Sequence, residues 1–185
     1  MPQVAAVNTP ATPGQILGAL EAGGAPRRAA PMLLAQSAFE TGGWANGFWN
    51  YNLGNITTTS SDTYQVLPGD SSHLLYKVYS SLDEGAADYV SYLNRRGLVA
   101  IAATGDLGAY VARLKQVGYA SALASPTGYA QYQAGMAMWL RKLQYVQPES
   151  RGLFAGLVGG RPRAYALGAG MIGVAAWVAD GIYRR

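Results

Sequence analysis

Leu34-Ala35-Gln36-Ser37-Ala38-Phe39-Glu40-Thr41-Gly42-Gly43-Trp44 is an apolar helical run that closes on an acid and two glycines. The pattern predicts a helix from Pro31 to Thr41, stopped by Gly42-Gly43. Glu40 then stands in its last turn. The carbonyl end of a helix disfavours a negative charge, and Phe39 and Trp44 are apolar neighbours able to desolvate the carboxyl. Both effects favour a carboxylic acid that keeps its proton. A glutamate near a helix end is also a common solvated surface residue, so its neighbourhood has to decide.

Toward the N-terminus, Thr12-Pro13 reads as an N-cap followed by proline at the first helical position, opening a helix through Ala22 that Gly23-Gly24 ends. Residues 1–11 are rich in Pro and Ala and form an arm expected to be ordered only if something binds it. Met1-Pro2-Gln3-Val4 lacks the basic region and apolar run of a secretory signal.

Toward the C-terminus, Thr, Ser, Asn, Asp and Gly dominate from Trp44 to Ser80. Alternating stretches at Thr63–Leu67 and Leu74–Tyr79 flank the turn signal Pro68-Gly69-Asp70 and predict a small antiparallel hairpin, with Ile56–Thr59 as a candidate third strand. Helices resume at Ser81-Leu82-Asp83-Glu84, a capping box, followed by Leu82, Ala86, Tyr89, Val90 and Leu93 at helical spacing. Asp106 caps a helix with the stripe Leu107, Tyr110, Val111 and Leu114, ended by Gly118. Ser125-Pro126 opens a last helix carrying Met136, Trp139, Leu140 and Leu143, with Pro148 beyond its end. Helix, β-lobe, helices: the order implies an α+β domain, mainly helical with a small β-hairpin lobe, over residues 12–147. A linker (148–163) and a C-terminal apolar helix (164–183) follow.

Composition excludes several classes. Half of the 185 residues are hydrophobic and 13% are charged, enough for a packed core. The net charge of +4 owes much to Arg161, Arg163, Arg184 and Arg185; no basic run is interleaved with aromatics, so nucleic acid is not an expected partner. The chain has no cysteine and one histidine, His73. Disulfides and thiolate or multi-histidine metal sites are therefore ruled out, and no cofactor is expected. A mild positive balance suits an anionic polymer.

Residues 164–179 carry no charge and would span roughly 24 Å as a helix, short of the ~30 Å hydrocarbon core. Extension to Tyr183 reaches 20 residues with Asp180 near the edge, and arginines flank both sides. Small residues such as Ala169 and Gly173 permit close helix packing. Two readings stand: a single membrane anchor, or an Ala/Gly-rich helix docked on its own or a neighbouring subunit.

The run around Glu40 resembles the "AQ-A-ET/ES-GW" signature of the glucosaminidase family of peptidoglycan hydrolases, which includes bacterial autolysins and the muralytic domain of flagellar rod-cap proteins. Three further blocks follow in the family's order. Tyr51-Asn52-Leu53-Gly54-Asn55-Ile56 is similar to its "NLFG-I" segment. Tyr76-Lys77-Val78-Tyr79-Ser80-Ser81 with Asp88-Tyr89 is similar to its "FR-YSS…DY" block, and Val117-Gly118-Tyr119-Ala120 with Tyr129 and Tyr132 to its "GYATD…Y" block. The resemblance spans residues 15 to 145 or so and implies a lysozyme-like fold acting on peptidoglycan glycan strands. It implies Glu40 as general acid, Tyr119 as a cleft tyrosine beside the scissile sugar, and Asn52 as a residue holding the cleft loop or a sugar N-acetyl group. Stacking on sugar faces falls to Trp44, Trp49 and Tyr51, which serve equally well as core aromatics.

The chain departs from the family pattern at several points. It reads Gly42-Gly43-Trp44 for Gly-Trp-Gly, lacks the Phe of "NLFG", and has Ser121-Ala122 after the cleft tyrosine. Many members carry a second acid in the β-lobe, yet residues 46–81 contain no glutamate and only Asp62 and Asp70. Asp62 is the candidate base or water-positioning group; Asp70 is read as a turn former. Without either, the substrate's own N-acetyl group or a single-acid lytic transglycosylase reaction would complete the mechanism. A non-catalytic glycan-binding module is the competing expectation. A cell-wall enzyme without a signal peptide further suits a bacteriophage particle, with residues 164–183 meeting a membrane or virion proteins.

Overall fold

The computed structural model describes residues 2–45, 48–58, 63–69 and 74–149. Asp62, Asp70, His73 and the apolar segment 164–183 fall outside them. Among the described residues there are six α-helices and a two-stranded antiparallel sheet: α1 (Pro13–Ala22), α2 (Ala30–Thr41), β1 (Tyr64–Gln65), β2 (Tyr76–Lys77), α3 (Leu82–Asn94), α4 (Leu98–Ala102), α5 (Leu107–Gln116) and α6 (Pro126–Leu143), with a 3-10 turn at Ser121–Ala124 before α6. The architecture is the mainly helical α+β arrangement expected, but α4 and the 3-10 turn went unforeseen. Neither is long enough to show a helical period.

Capping residues set most helix starts. Thr12 Oγ1 accepts from the Gln15 N–H at 3.1 Å while Gln15 Oε1 accepts from the Thr12 N–H at 3.0 Å, a reciprocal cap on α1. Asp106 and Ser125 cap α5 and α6 through their side chains. Ser81 caps α3, but Glu84 does not reach back to the Ser81 N–H as a capping box requires; its carboxylate accepts from the Ser80 N–H and hydroxyl instead, one residue earlier.

Helix α2 runs through the middle of the molecule. It packs against α1 and α6 and contacts α4, and Ala30, Met32, Leu33, Leu34, Ala35 and Ala38 are all buried. A helix apolar on nearly every side has to be central. A glycine on α6 lets that helix approach closely: the Phe39 ring lies where a Cβ on Gly135 of α6 would meet it at 2.2 Å. That contact fixes the face α6 turns toward α2.

The sheet is shorter than its alternating pattern predicts. Tyr64 pairs with Lys77 and Gln65 with Tyr76, and the expected third strand is reduced to a single bridge between Thr57 and Tyr76. Hydrogen bonding of another kind holds the lobe. The Asn50 amide donates to Ala5 O and to Gln65 Oε1, the Asn50 N–H donates to Val7 O, and the Thr9 N–H donates to Phe48 O. The N-terminal arm is therefore ordered by its own chain, which corrects the expectation that an external partner is required.

The described residues between 44 and 55 form a constrained loop. Trp44, Asn50, Tyr51 and Asn55 all adopt positive φ, between 45° and 62°. Non-glycine residues in this region carry steric strain, roughly 1–2 kcal/mol each and least for Asn, so surrounding contacts must hold them. Beyond α6, Glu149 returns to α1: its N–H donates to Gly14 O at 3.1 Å, and Thr12 Oγ1 donates to its carboxylate at 2.5 Å. No helix among the described residues is long and apolar enough to cross a membrane.

Candidate active site

The geometry of the site starts from the end of α2. Gly42 takes a left-handed conformation (φ 64°), and its N–H and that of Gly43 both donate to Ala38 O. Glu40 belongs to the last turn, where main-chain carbonyls have no partner within the helix. Its carbonyl accepts from Asn55 Nδ2 at 2.9 Å, so the 44–55 loop is pinned to the residue that bears the acid.

The Glu40 side chain is only 2% exposed. Burial pushes its carboxyl from the ordinary 4.5 up to about 7, opposed by a hydrogen bond from the Tyr132 hydroxyl to Oε1 at 2.6 Å. Four buried phenols feel the charge of this carboxyl, and one of them, Tyr132, bonds it. Tyr89 from α3, Tyr110 from α5, Tyr119 beyond α5 and Tyr132 from α6 are all held well above the ordinary tyrosine range, by burial first and, with other groups, by the charge of Glu40. They stay neutral at any working pH. The cover over the acid thus differs from the Phe39 and Trp44 expected. Phe39 acts one step removed, its ring meeting Tyr132 edge-on with centroids 4.7 Å apart, and Trp44 turns elsewhere.

Trp44 is 1% exposed, donates its indole N–H to Ser37 Oγ at 2.9 Å, and packs against Trp139. It offers no free face to a sugar, and the stacking role expected of it is corrected to a core role. Ser37 passes the bond on to Leu53 O at 2.7 Å, fastening the loop to α2. Asn52 is likewise buried and fully used: Nδ2 donates to Ile56 O and Lys77 O, and Oδ1 accepts from the Ile56 N–H. Of its two expected roles, holding the loop matches this geometry. The hydroxyl of Tyr119 donates to Gly54 O at 3.2 Å, placing it under the same loop. Tyr51 is half-buried, with its ring edge-on to Phe48 and its N–H bonded to Thr9 Oγ1. Asp62 is outside the described residues.

Two site residues carried no role in the sequence reading. Tyr132 appeared only as a match in the fourth block; a tyrosine on the same stripe as Met136 has a buried hydroxyl that needs a partner, and that was the available signal. Asn55 lacked any signal, since its partner is a main-chain carbonyl.

A cleft of about 420 Å³ opens between the hairpin and the start of α3, lined by Thr63, Lys77, Val78, Tyr79, Glu84 and Asp88. Burial acts to raise the Asp88 carboxyl, but hydrogen bonds from Tyr79 (2.6 Å) and Lys77 (2.9 Å) outweigh it and hold the group below its ordinary range. Asp88 is therefore ionised where Glu40 is not. Among the described residues no cluster of His, Cys, Asp or Glu is arranged to hold a metal.

Among solved structures the chain is similar to the glycoside hydrolase domain of Salmonella typhimurium FlgJ, at 25% identity over 71% of this chain and 82% of that one, with a TM-score of 0.46. A C-terminally truncated form of that Salmonella typhimurium domain is 22% identical over 71% of this chain and 93% of that one, with a TM-score of 0.47. No family model and no curated protein matches the chain.

Proposed function

We propose that the protein is a glycoside hydrolase of the glucosaminidase kind that cuts the β-1,4 glycan strand of peptidoglycan, with Glu40 as general acid. One observation carries this reading: three of the stretches that resemble the family, far apart in sequence, meet at Glu40 and the loop bonded to it. Asn55 binds the Glu40 carbonyl, Tyr132 binds its side chain, and Tyr119 holds the intervening loop. A carboxyl raised to about 7 is half protonated at neutral pH and can deliver its proton to the leaving oxygen as positive charge develops on the sugar. With only 2% of Glu40 exposed, productive binding requires the side chains over it to part.

Asp62 is the proposed second group, as base or water-positioning residue; substrate assistance by the N-acetyl group and a single-acid transglycosylase reaction are the alternatives. The near-complete cover of Glu40 favours a second reading, a glycan-binding module that has lost the chemistry. Digestion of purified sacculi followed by mass spectrometry separates them. New reducing-end GlcNAc assigns a glucosaminidase, an anhydro-MurNAc end a transglycosylase, and sacculus binding without any fragment over pH 5 to 8 a binding module. Association with a virion, and with a membrane or virion proteins through residues 164–183, is part of the proposal and rests on the sequence alone.

A further inference from the structure

Gln36 is buried on α2 with half of its hydrogen-bonding capacity unmet. Its carboxamide is fully enclosed, Tyr110 donates its hydroxyl to Oε1, and Nε2 has no acceptor among the described residues. Buried donors of this kind have partners in folded proteins, and where the chain supplies none an ordered water does. The two ends of a planar amide diverge, so the hold on Oε1 directs the N–H groups away from Tyr110. Gln36 and Glu40 are four residues apart on α2 and share one face of it. Tyr110 bears on both: it bonds Gln36, and its own ionisation is opposed by burial and then by the charge of Glu40.

We infer that Gln36 is a positioning residue for the acid: locked by Tyr110, it presents an N–H to one enclosed water that it shares with the Glu40 carboxyl. The water accepts from Nε2 and donates to the carboxyl. Together with the Tyr132 bond on Oε1, this holds the carboxyl in one orientation and steadies the carboxylate left after the proton has gone. The titratable groups facing Glu40 are the neutral phenols Tyr89 of α3, Tyr110 of α5, Tyr119 beyond it and Tyr132 of α6. A polarised water is therefore the strongest further donor its surroundings provide.

The inference rests on Glu40 being the acid, and its test separates the two claims. In the full-length protein, carbon-13 titration of the Glu40 carboxyl follows its protonation without substrate. Gln36→Met keeps the volume and removes the amide; the midpoint is expected to rise by about one pH unit, a roughly tenfold change in proton affinity. The alkaline limb of kcat/KM rises with it, and kcat falls several-fold with KM unchanged. Tyr110→Phe, which frees the carboxamide without removing it, moves the midpoint the same way by less and stands in if Gln36→Met fails to fold. The wild type shows a nuclear Overhauser contact between a long-lived water and the Gln36 side-chain amide. A midpoint unchanged in the folded variants, or no such water contact, overturns the role of Gln36 and leaves the proposed activity standing. A midpoint that moves in a protein unable to digest sacculi overturns the activity and leaves the shared water standing.

Discussion

Glu40 shows how far a single position was legible. Its place in the last turn of a helix followed from the two glycines after it, and both sit where a left-handed stop requires them. The source of its raised carboxyl, burial, was not legible, because it depends on elements far along the chain, such as α6, whose Tyr132 bonds the carboxyl. That environment has a consequence for stability. The folded chain keeps the Glu40 proton up to about pH 7, whereas the unfolded chain releases it near 4.5. Between those values the native state binds more protons, so stability falls as pH rises and levels off above about 7. The difference is worth at most about 3 kcal/mol. Glu40→Gln keeps an acceptor for Tyr132 and removes the ionisation. Urea unfolding at pH 5 and pH 8 is expected to show the variant gaining about 1–3 kcal/mol over the wild type between the two; equal pH dependence in both proteins would contradict the buried carboxyl.

At the scale of elements, helices with a side-chain cap and a stripe were legible, and the β-lobe was not. Thr12, Asp106 and Ser125 each announce a helix that forms. The strands shrink to two residues each because side-chain amides and the N-terminal arm bond the lobe where a longer ladder was expected. Alternation of apolar and polar residues carries no information about such bonds. Asn52 is the clearest case, joining Ile56 and Lys77 through three hydrogen bonds from one side chain. Asn52→Ala leaves the buried Ile56 N–H without a partner, while Ile56 O keeps the Lys77 N–H and Lys77 O keeps Gln65 Nε2, and is expected to cost about 1–3 kcal/mol. A drop in the urea midpoint with an unchanged slope measures it; a loss below about 0.5 kcal/mol would show that the loop is held by other contacts.

For the molecule as a whole, the order helix, β-lobe, helices emerged from the sequence and matches the described residues, while the arm was misjudged because its partners are distant in sequence, Asn50 lying 45 residues from Ala5 and 43 from Val7. Glu149, beyond the end at 147 expected of the domain, is tied to it through its bonds to Thr12 and Gly14. A shortened chain should therefore end at Glu149. In liposome flotation the full-length protein is expected to rise with the vesicles and the chain ending at Glu149 to stay below. If both stay below, residues 164–183 are not a membrane anchor and the docked-helix reading takes their place.

The central claim is that the proton of Glu40 cuts glycan strands. Its most direct test is the release of soluble fragments from purified sacculi at pH 6 by the wild type and by folded Glu40→Gln. A general acid is worth about 100-fold or more in rate, so fragments are expected from the wild type and at least that much more slowly from the variant. Equal release by the two proteins would contradict the account.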